Sequence, residues 1–186
     1  PGARIRLWVM NADGSEQTDL PGRNLYHAVY PAWSHDSKQI VYGSAENAGN
    51  CQVMQVNADG KGDTALTEGP KPHSYAAWSP DGQSLAYVSF ENKMAEIYVQ
   101  TLRSGGRQKV SSRAGVNGAP SWSPDGRVLA ITLSRGEGNL DLFTLDLGSQ
   151  AAGTTSAART VLVAGVEGPA GTRATLDSIS LAGANA

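Results

Sequence analysis

The sequence is poor in cysteine, in aromatic residues and in excess charge of either sign. Its one cysteine, Cys51, cannot form an internal disulfide, so the redox compartment is not decided. Lys and Arg number 15 against 17 Asp and Glu, a net charge of −2, and no basic cluster of the kind that binds nucleic acids is present. No apolar run approaches the ~20 residues of a membrane-spanning helix. We therefore predict no nucleic-acid partner and no transmembrane segment.

Helical heptads and a signal peptide are also absent. The chain begins at Pro1 without methionine, so we expect that an upstream leader was removed or lies outside this sequence. What the chain does contain is 22 glycines among 186 residues, together with many Ser, Thr and Asn residues. This composition favours a turn-rich, all-β protein.

A five-residue phrase occurs three times at nearly constant spacing. It reads W-S-H-D-S from Trp33 and W-S-P-D-G from both Trp78 and Trp122, so the tryptophans are 45 and 44 residues apart (78 − 33 and 122 − 78). An apolar run ending in a small polar residue follows each phrase, at residues 39–44, 84–89 and 128–134. A fixed period in this range indicates a repeat architecture.

A second set of strand-like runs recurs with nearly the same period as the first. The runs begin at Ile5, Cys51, Ile97 and Leu142, which are 46, 46 and 45 residues apart (51 − 5, 97 − 51, 142 − 97). Hairpin-type turns such as Asp-Gly and Gly-Gly follow them, and short outer runs come next at 17–20, 63–67 and 107–111. Each repeat thus predicts four antiparallel strands, the unit of a β-propeller blade.

The period divides the chain into five segments. Residues 1–20 match only the third and fourth strands of a blade, 21–67 and 68–112 form complete blades, and 113–147 forms a blade whose fourth strand is uncertain. Residues 148–186 are rich in Ala, Gly, Ser and Thr. We interpret them as a weakly ordered tail, since few large apolar groups offset the ordering entropy. The alternative places a late fourth strand at 159–163, with a further strand at 175–181.

The repeat resembles the WD40-like repeat of TolB-type β-propellers. Residues 76–89 and 119–126 match that pattern closely, and 7–14 resembles the family's third strand and turn. The resemblance covers about residues 5–147 and not the tail. The same repeat is similar to propellers in serine peptidases of prolyl oligopeptidase type, in sugar lyases and in sensor proteins. It names a fold and leaves the function open.

The predicted fold class is therefore an all-β propeller segment of about three to four four-stranded antiparallel blades. Propellers close into rings of about four to eight blades, so three explanations stay open. The chain is a fragment of a larger ring of about six to eight blades, or it associates with another copy, or its tail completes a fourth blade. The missing half-blade and the missing methionine favour the fragment.

Loops alternate between the two faces of such a ring. The turns after each tryptophan share one face with the Asp-Gly turns, and an Asp in such a turn usually hydrogen-bonds its own backbone. We therefore assign a structural role to the repeated residues of this phrase. They are Trp33, Asp36, Trp78, Asp81, Gly82, Trp122, Asp125 and Gly126. The three tryptophans are predicted to fill the wedges between blades.

The opposite face carries longer, variable loops, where binding usually resides. His27 and His73 lie six and five residues before their tryptophans, and Asn117 occupies the matching place in the third repeat. Charged residues of the neighbouring loops can join them. The candidate binding residues are His27, Glu46, His73, Glu91, Lys93, Asn117, Arg135 and Glu137.

No catalytic set accompanies these residues. There is no Gly-x-Ser-x-Gly elbow, no Gly-rich phosphate loop and no His partner for the cysteine in sequence. Two histidines with nearby carboxylates could ligate a metal, as the resemblance to propeller lyases suggests, but no short ligand spacing such as His-x-His supports it. We predict no catalytic residue, no metal and no cofactor.

The resemblance to TolB-type propellers implies a non-catalytic scaffold for protein–protein interaction. It further implies a periplasmic location in the bacterial cell envelope. The implied partners are a peptidoglycan-associated lipoprotein or other Tol envelope proteins. The alternative is the propeller domain of a serine peptidase of prolyl oligopeptidase type, or of a metal-dependent sugar lyase, with any peptidase domain outside these residues.

Overall fold

In the part of the chain that the computed structural model describes, every pairing between named strands is antiparallel, and one isolated parallel bridge joins Ile5 to His27. That part comprises residues 5–20, 27–45, 51–112, 114–134 and 140–147, and the backbone of 159–164. It contains no helix long and apolar enough to cross a membrane.

The strands are numbered here in chain order. They are β1 (Trp8–Val9), β2 (Thr18–Asp19), β3 (Ala28–Trp33), β4 (Gln39–Ala45), β5 (Cys51–Asn57), β6 (Thr64–Ala65), β7 (His73–Trp78), β8 (Ser84–Ser89), β9 (Glu96–Thr101), β10 (Arg107–Ser111), β11 (Asn117–Trp122), β12 (Val128–Ser134), β13 (Leu140–Asp146) and β14 (Arg159–Ala164).

Each repeat folds as one four-stranded meander. The sheet orders are β3-β4-β5-β6, β7-β8-β9-β10 and β11-β12-β13-β14, and β1 pairs with β2 in a separate two-stranded sheet. These sheets are called blades 1, 2 and 3 and the half-blade. The predicted all-β class and four-stranded antiparallel blades are confirmed, and β3, β7 and β11 are the strands that carry the tryptophan phrase.

Backbone hydrogen bonds define two opposite ends of each blade. At the turn face, the turn after the tryptophan strand bonds to the residue that follows the third strand. These bonds are Ala58 N to Lys38 O, Leu102 N to Gln83 O and Leu147 N to Arg127 O, at 2.8 to 2.9 Å. At the loop face, the segment entering the tryptophan strand bonds to the end of the second strand or the loop after it. These bonds are Ala45 N to His27 O, Phe90 N to Pro72 O and Ser134 N to Val116 O, at 2.9 to 3.2 Å.

Three apolar clusters fill the wedges between successive sheets. Leu7 and Leu20 of the half-blade region pack on Tyr42 of blade 1. Val41 and Val53 of blade 1 pack with Tyr87 of blade 2. The third cluster joins Ala86, Val88 and Ile97 of blade 2 to Leu129, Ile131, Leu133, Phe143 and Leu145 of blade 3. Burial of these side chains holds neighbouring blades at fixed positions, which gives the loops a rigid base.

Strand β14 differs from the interpretation of residues 148–186 as a weakly ordered tail. It pairs antiparallel with β13, with Asp146 opposite Arg159 and Leu145 opposite Thr160. The late fourth strand arises because β13 leaves an open hydrogen-bonding edge that a short β-branched run can satisfy. The other possible strand, at 175–181, lies outside the described residues.

The tryptophans do not occupy equivalent environments. Trp78 and Trp122 are half-buried in the wedges, whereas Trp33 is 48% exposed, against the prediction that all three are core. The tryptophan strands β3, β7 and β11 are called the inner strands. The indole Nε1 of Trp122, in β11, donates to Ala77 O of the inner strand β7 at 3.1 Å. Trp33 has no such strand among the described residues, because the half-blade supplies only β1 and β2.

Candidate functional site

The turn face is closed by its own hydrogen bonds. In blade 2, Ser79 Oγ donates to Asp81 Oδ1 at 2.5 Å, and Gln83 N donates to the same carboxylate oxygen at 3.0 Å. The same pattern recurs at Ser34–Asp36 and Ser123–Asp125. The serine hydroxyls hold the pKa values of all three carboxyls below their usual range. These carboxylates serve their turns and do not converge on a ligand.

The predicted loop-face residues separate into three groups. Glu46, Arg135 and Glu137 lie outside the described residues. His27 and Lys93 are exposed. His73 and Asn117 are each only 1% exposed, and Glu91 lies beside His73 at the end of the wedge between blades 1 and 2.

His27 and His73 are not equivalent, contrary to the expectation from their spacing. His73 and Asn117 each lie five residues before their tryptophans, and the residue at that position in blade 1 is Ala28, which is buried. His27 lies one residue earlier. Successive side chains of a strand point to opposite faces, so the one-residue difference moves His27 out of the wedge. The structure therefore does not bring the two histidines together at one site.

His73, Glu91 and Arg107 form a cluster in the wedge between blades 1 and 2. The imidazole Nε2 of His73 lies 3.7 Å from Glu91 Oε1. Both terminal nitrogens of Arg107 donate to the Glu91 carboxylate, Nη2 to Oε2 at 2.9 Å and Nη1 to Oε1. Arg107 lies on the outer strand β10, so an outer and an inner strand meet here through a loop carboxylate.

Aromatic rings enclose this cluster. The Tyr87 ring meets His73 edge-on with centroids 5.7 Å apart, and the Arg107 guanidinium lies 5.1 Å from the centroid of the Tyr98 ring. Tyr87 Oη donates to Gln100 Oε1 at 3.1 Å. The rings cover part of the charged pair, but the Arg107 and Glu91 side chains remain 43% and 26% exposed, so solvent screens their interaction.

The cluster changes the pKa values of its members. Hydrogen bonding to Arg107 lowers the pKa of Glu91, so this carboxylate is ionised at neutral pH. Burial lowers the pKa of His73, an effect that Glu91 opposes and Arg107 reinforces. The site therefore combines a neutral imidazole with a compensated ion pair.

Asn117 forms a side-chain hydrogen bond that joins blades 2 and 3. Ser111 Oγ, at the end of β10, donates to Asn117 Oδ1 at 2.6 Å, and both side chains are buried. This position, predicted as a binding residue, is closed by its neighbour.

Two features of the loop-face half were missed from sequence. The sequence predicted Arg107 only as part of an outer strand and not as a member of the site. Tyr30 and Tyr75, 45 residues apart (75 − 30), lie at matching places in the inner strands β3 and β7, and both have a positive φ of 54°. Their rings stack with centroids 4.1 Å apart, and Tyr75 Oη donates to Tyr30 Oη at 3.0 Å. The matching repeat period was the signal that could have found this pair.

Each tyrosine sits where the register of the inner strand shifts. The shifts fall between Val29 and Ala32 and between Ser74 and Ala77. A bulge of this kind re-aims a side chain away from the sheet, and Tyr30 is 50% exposed and Tyr75 36%. The pair is an exposed aromatic surface on rigid strands.

Two cavities adjoin these groups. One of about 270 Å³ is lined by His73, Tyr87, Glu91, Gln100 and Arg107. A larger one of about 900 Å³ opens at the turn face between blades 2 and 3 and includes Trp122 and Arg127. Across the described residues, no group of three or more His, Cys, Asp or Glu side chains could hold a metal ion.

Comparisons with known proteins identify the repeat. The family model described as the TolB beta propeller domain matches residues 49–161. The Tol-Pal system protein TolB of Alcanivorax borkumensis is 44% identical over 102 residues, covering 53% of this chain and 24% of that protein. The corresponding protein of Methylococcus capsulatus is 48% identical over 115 residues, covering 57% of this chain and 27% of that protein.

A solved structure agrees with these matches. Putative TolB from Agrobacterium tumefaciens superposes with a TM-score of 0.70 at 20% identity, covering 78% of this chain and 53% of that one. At this identity the likeness shows the fold alone. The chain spans about a quarter of the length of the two curated relatives described above.

Proposed function

This chain belongs to the TolB β-propeller domain family, and from that membership we propose that it is a non-catalytic scaffold for protein–protein interaction. Its curated relatives are named as proteins of the Tol-Pal system. We place the protein in the periplasm of the bacterial envelope. The partner we propose is a peptidoglycan-associated lipoprotein or another Tol envelope protein.

The stacked Tyr30–Tyr75 pair is the observation that carries a docking role. Tyrosine is enriched among residues that dominate the energetics of protein interfaces, because it buries a large rigid ring and retains a polar tip. The two rings are exposed and held by neighbouring inner strands, which reduces the entropy lost on binding. The pair lies in the loop-face half of those strands.

We propose that charged residues of the loop face form the rim of this surface. Lys93 is exposed in the loop after β8. Glu46, Arg135 and Glu137, which the sequence predicts for the same face, lie outside the described residues. Charges at the rim of an interface mainly guide association and orientation. We therefore assign affinity to the tyrosines and partner choice to the rim charges.

The proposal is tested by titrating the chain with the peptidoglycan-associated lipoprotein encoded in the same genome. Isothermal calorimetry compares the original chain with the double variant Tyr30→Ala/Tyr75→Ala. Loss of two interface tyrosines costs about 2 kcal/mol or more, which weakens binding about thirtyfold. Circular dichroism checks that the variant is folded.

The matched control changes charge on the other face. Lys38→Glu and Lys61→Glu alter exposed lysines in turn-face loops and should leave the affinity unchanged. A lipoprotein that binds the tyrosine variant as well as the original chain overturns the assignment of the docking surface. Absence of binding to the original chain overturns the proposed partner.

A further inference from the structure

The buried imidazole of His73 has no hydrogen-bond partner among the described residues. Both ring nitrogens are buried and neither makes a hydrogen bond of ordinary geometry. The Glu91 carboxylate lies 3.7 Å from Nε2, too far for a hydrogen bond, and the backbone of Glu68 interacts with the imidazole only weakly, raising its pKa against the effect of burial. A buried polar group left without a partner destabilises the fold, so packing alone does not explain a histidine at this position.

The same register position in blade 3 shows what a purely structural solution looks like. There Asn117 accepts a hydrogen bond from Ser111 at the end of the preceding blade. The residue matching Ser111 beside His73 is Thr67, but Thr67 Oγ1 donates to Gln52 Oε1 at 2.9 Å. Blades 1 and 2 are joined here by Gln100 Nε2, which donates to Leu66 O at 3.3 Å, and His73 gains no partner that matches the one Asn117 has.

The ring of His73 borders the cavity of about 270 Å³ between these blades. Its polar wall includes His73, Glu91, Arg107 and Gln100, and Tyr87 forms part of the rest. Thr67 and the exposed Glu68 also line the cavity. A cavity of this volume lies just below the range of drug-sized sites and suits a ligand of about one six-membered ring with its substituents.

Apart from Glu68, whose side chain is exposed to solvent, the wall carries donors and acceptors but no uncompensated charge. Glu91 and Arg107 neutralise each other through two hydrogen bonds. A carboxylate has about four acceptor positions, so Glu91 can accept further bonds. A neutral imidazole offers one donor and one acceptor. An anion would face the Glu91 carboxylate, and a cation would compete with Arg107 for it.

We propose that the cleft between blades 1 and 2 binds a neutral polyhydroxyl compound the size of a single sugar ring. Adjacent hydroxyl groups both donate and accept, so one can donate to Glu91 while accepting from His73, and the next can meet Arg107 or Gln100. The ion pair stays intact and the imidazole gains its missing partners. This site is distinct from the Tyr30–Tyr75 surface, and its test does not depend on a protein partner.

The test is a titration of the whole chain, isotopically labelled at histidine, with glucose, galactose and N-acetylglucosamine in turn. The His73 ring resonances should shift saturably with at least one sugar. A compact polar ligand of about twelve heavy atoms supports a dissociation constant on the order of 1 mM. Glycerol serves as the control for non-specific filling by small polyols.

Two variants localise the effect. Glu91→Gln removes a charged acceptor and should weaken binding about tenfold. His73→Asn installs the residue of blade 3 and should abolish sugar binding while the chain stays folded; because this variant lacks the reporter ring, its binding is followed on the sugar resonances instead. Lys61→Gln, at an exposed turn-face position outside the cavity, should bind as the original chain does.

Three outcomes overturn the proposal. The first is the absence of a saturable His73 shift with every sugar. The second is an equal response to glycerol, which would show non-specific polyol filling. The third is a sugar response that Glu91→Gln leaves unchanged, which would place the ligand elsewhere.

Discussion

At the residue scale, the turn after each tryptophan strand depends on one left-handed position. Ser37, Gly82 and Gly126 occupy it with φ values of 57°, 68° and 72°. A side chain in this region crowds the following carbonyl, whereas glycine adopts it freely. Blades 2 and 3 therefore use the favourable residue, and blade 1 bears a strained one.

This difference predicts opposite effects of two substitutions. Ser37→Gly should raise the free energy of unfolding by up to about 1 kcal/mol, and Gly82→Ala should lower it by about 1 kcal/mol. A Cβ at Gly82 meets no atom within 4 Å, so the cost there is conformational. Urea unfolding measures both. Equal destabilisation by the two changes would show that strain at Ser37 is not relieved by glycine.

A second residue-scale prediction concerns the pH dependence that His73 imposes. Burial lowers its pKa below the ordinary 6.5, so the unfolded chain binds this proton at a higher pH than the folded chain. The free energy of unfolding should therefore fall as the pH drops below about 6.5. His73→Gln should flatten the stability profile between about pH 7 and about pH 5, measured by urea unfolding at each pH.

The control for this profile is His27→Gln, which changes an exposed imidazole. It should keep the slope of the original chain. A slope that survives His73→Gln would mean that another group carries the pH dependence.

At the scale of elements, a tryptophan hydrogen bond joins the inner strands β7 and β11. Trp122 Nε1 donates to Ala77 O of the neighbouring blade at 3.1 Å, whereas Trp78 Nε1 is buried with no partner among the described residues. The two indoles thus occupy matching places and differ by one hydrogen bond.

Trp122→Phe should therefore destabilise the protein more than Trp78→Phe does. The expected difference is about 1 kcal/mol, the net contribution of one hydrogen bond, because both substitutions remove similar apolar volume. Chemical denaturation of the two variants measures it. If Trp78→Phe proved as costly as Trp122→Phe, packing rather than the bond to Ala77 would join the blades.

The elements that sequence predicted are those encoded locally. Alternating apolar runs and Asp-Gly turns fix a meander within each repeat, so the blades and their strand order followed from the 44- to 46-residue periods. Strand β14 was only the alternative prediction, because residues 148–186 are rich in Ala and Gly and carry little apolar surface that would favour an ordered strand. Its pairing depends on the edge that β13 presents, which is a tertiary property.

The candidate site was only partly predictable, because it is assembled across blades. Spacing indicated His73 and Glu91 as loop-face residues. Arg107 was not predicted, because it lies in the outer strand β10 and only its side chain reaches the loop that carries Glu91. His27 lies one residue farther from its tryptophan than His73 does, and a shift of one residue along a strand places the side chain on the opposite face. Spacing counted from the tryptophans to one-residue accuracy separates His27 from His73.

At the scale of the whole molecule, both ends of the blade series expose apolar side chains. Trp8 and Met10 are 60% and 61% exposed on the half-blade, and Leu142 is exposed on the outer side of blade 3. Exposed apolar faces of this kind promote association. We therefore expect the chain to self-associate as its concentration rises, as measured by light scattering.

A charge placed at either end of the blade series should suppress that self-association. Trp8→Lys and Leu142→Lys each introduce an ammonium into an exposed apolar surface, which opposes its burial. Lys93→Gln, on the loop face, is the control and should scatter as the original chain does. Unchanged association in both lysine variants would place the contact on another surface.

We propose that this member of the TolB β-propeller family is a scaffold whose loop-face half docks an envelope protein through Tyr30 and Tyr75. The most direct measurement is the calorimetric affinity for the peptidoglycan-associated lipoprotein of the same genome, with and without the two tyrosines. The account predicts binding that weakens about thirtyfold in Tyr30→Ala/Tyr75→Ala and is unchanged in Lys38→Glu and Lys61→Glu. Equal affinity of the tyrosine variant, or loss of binding in the turn-face variants, would contradict it.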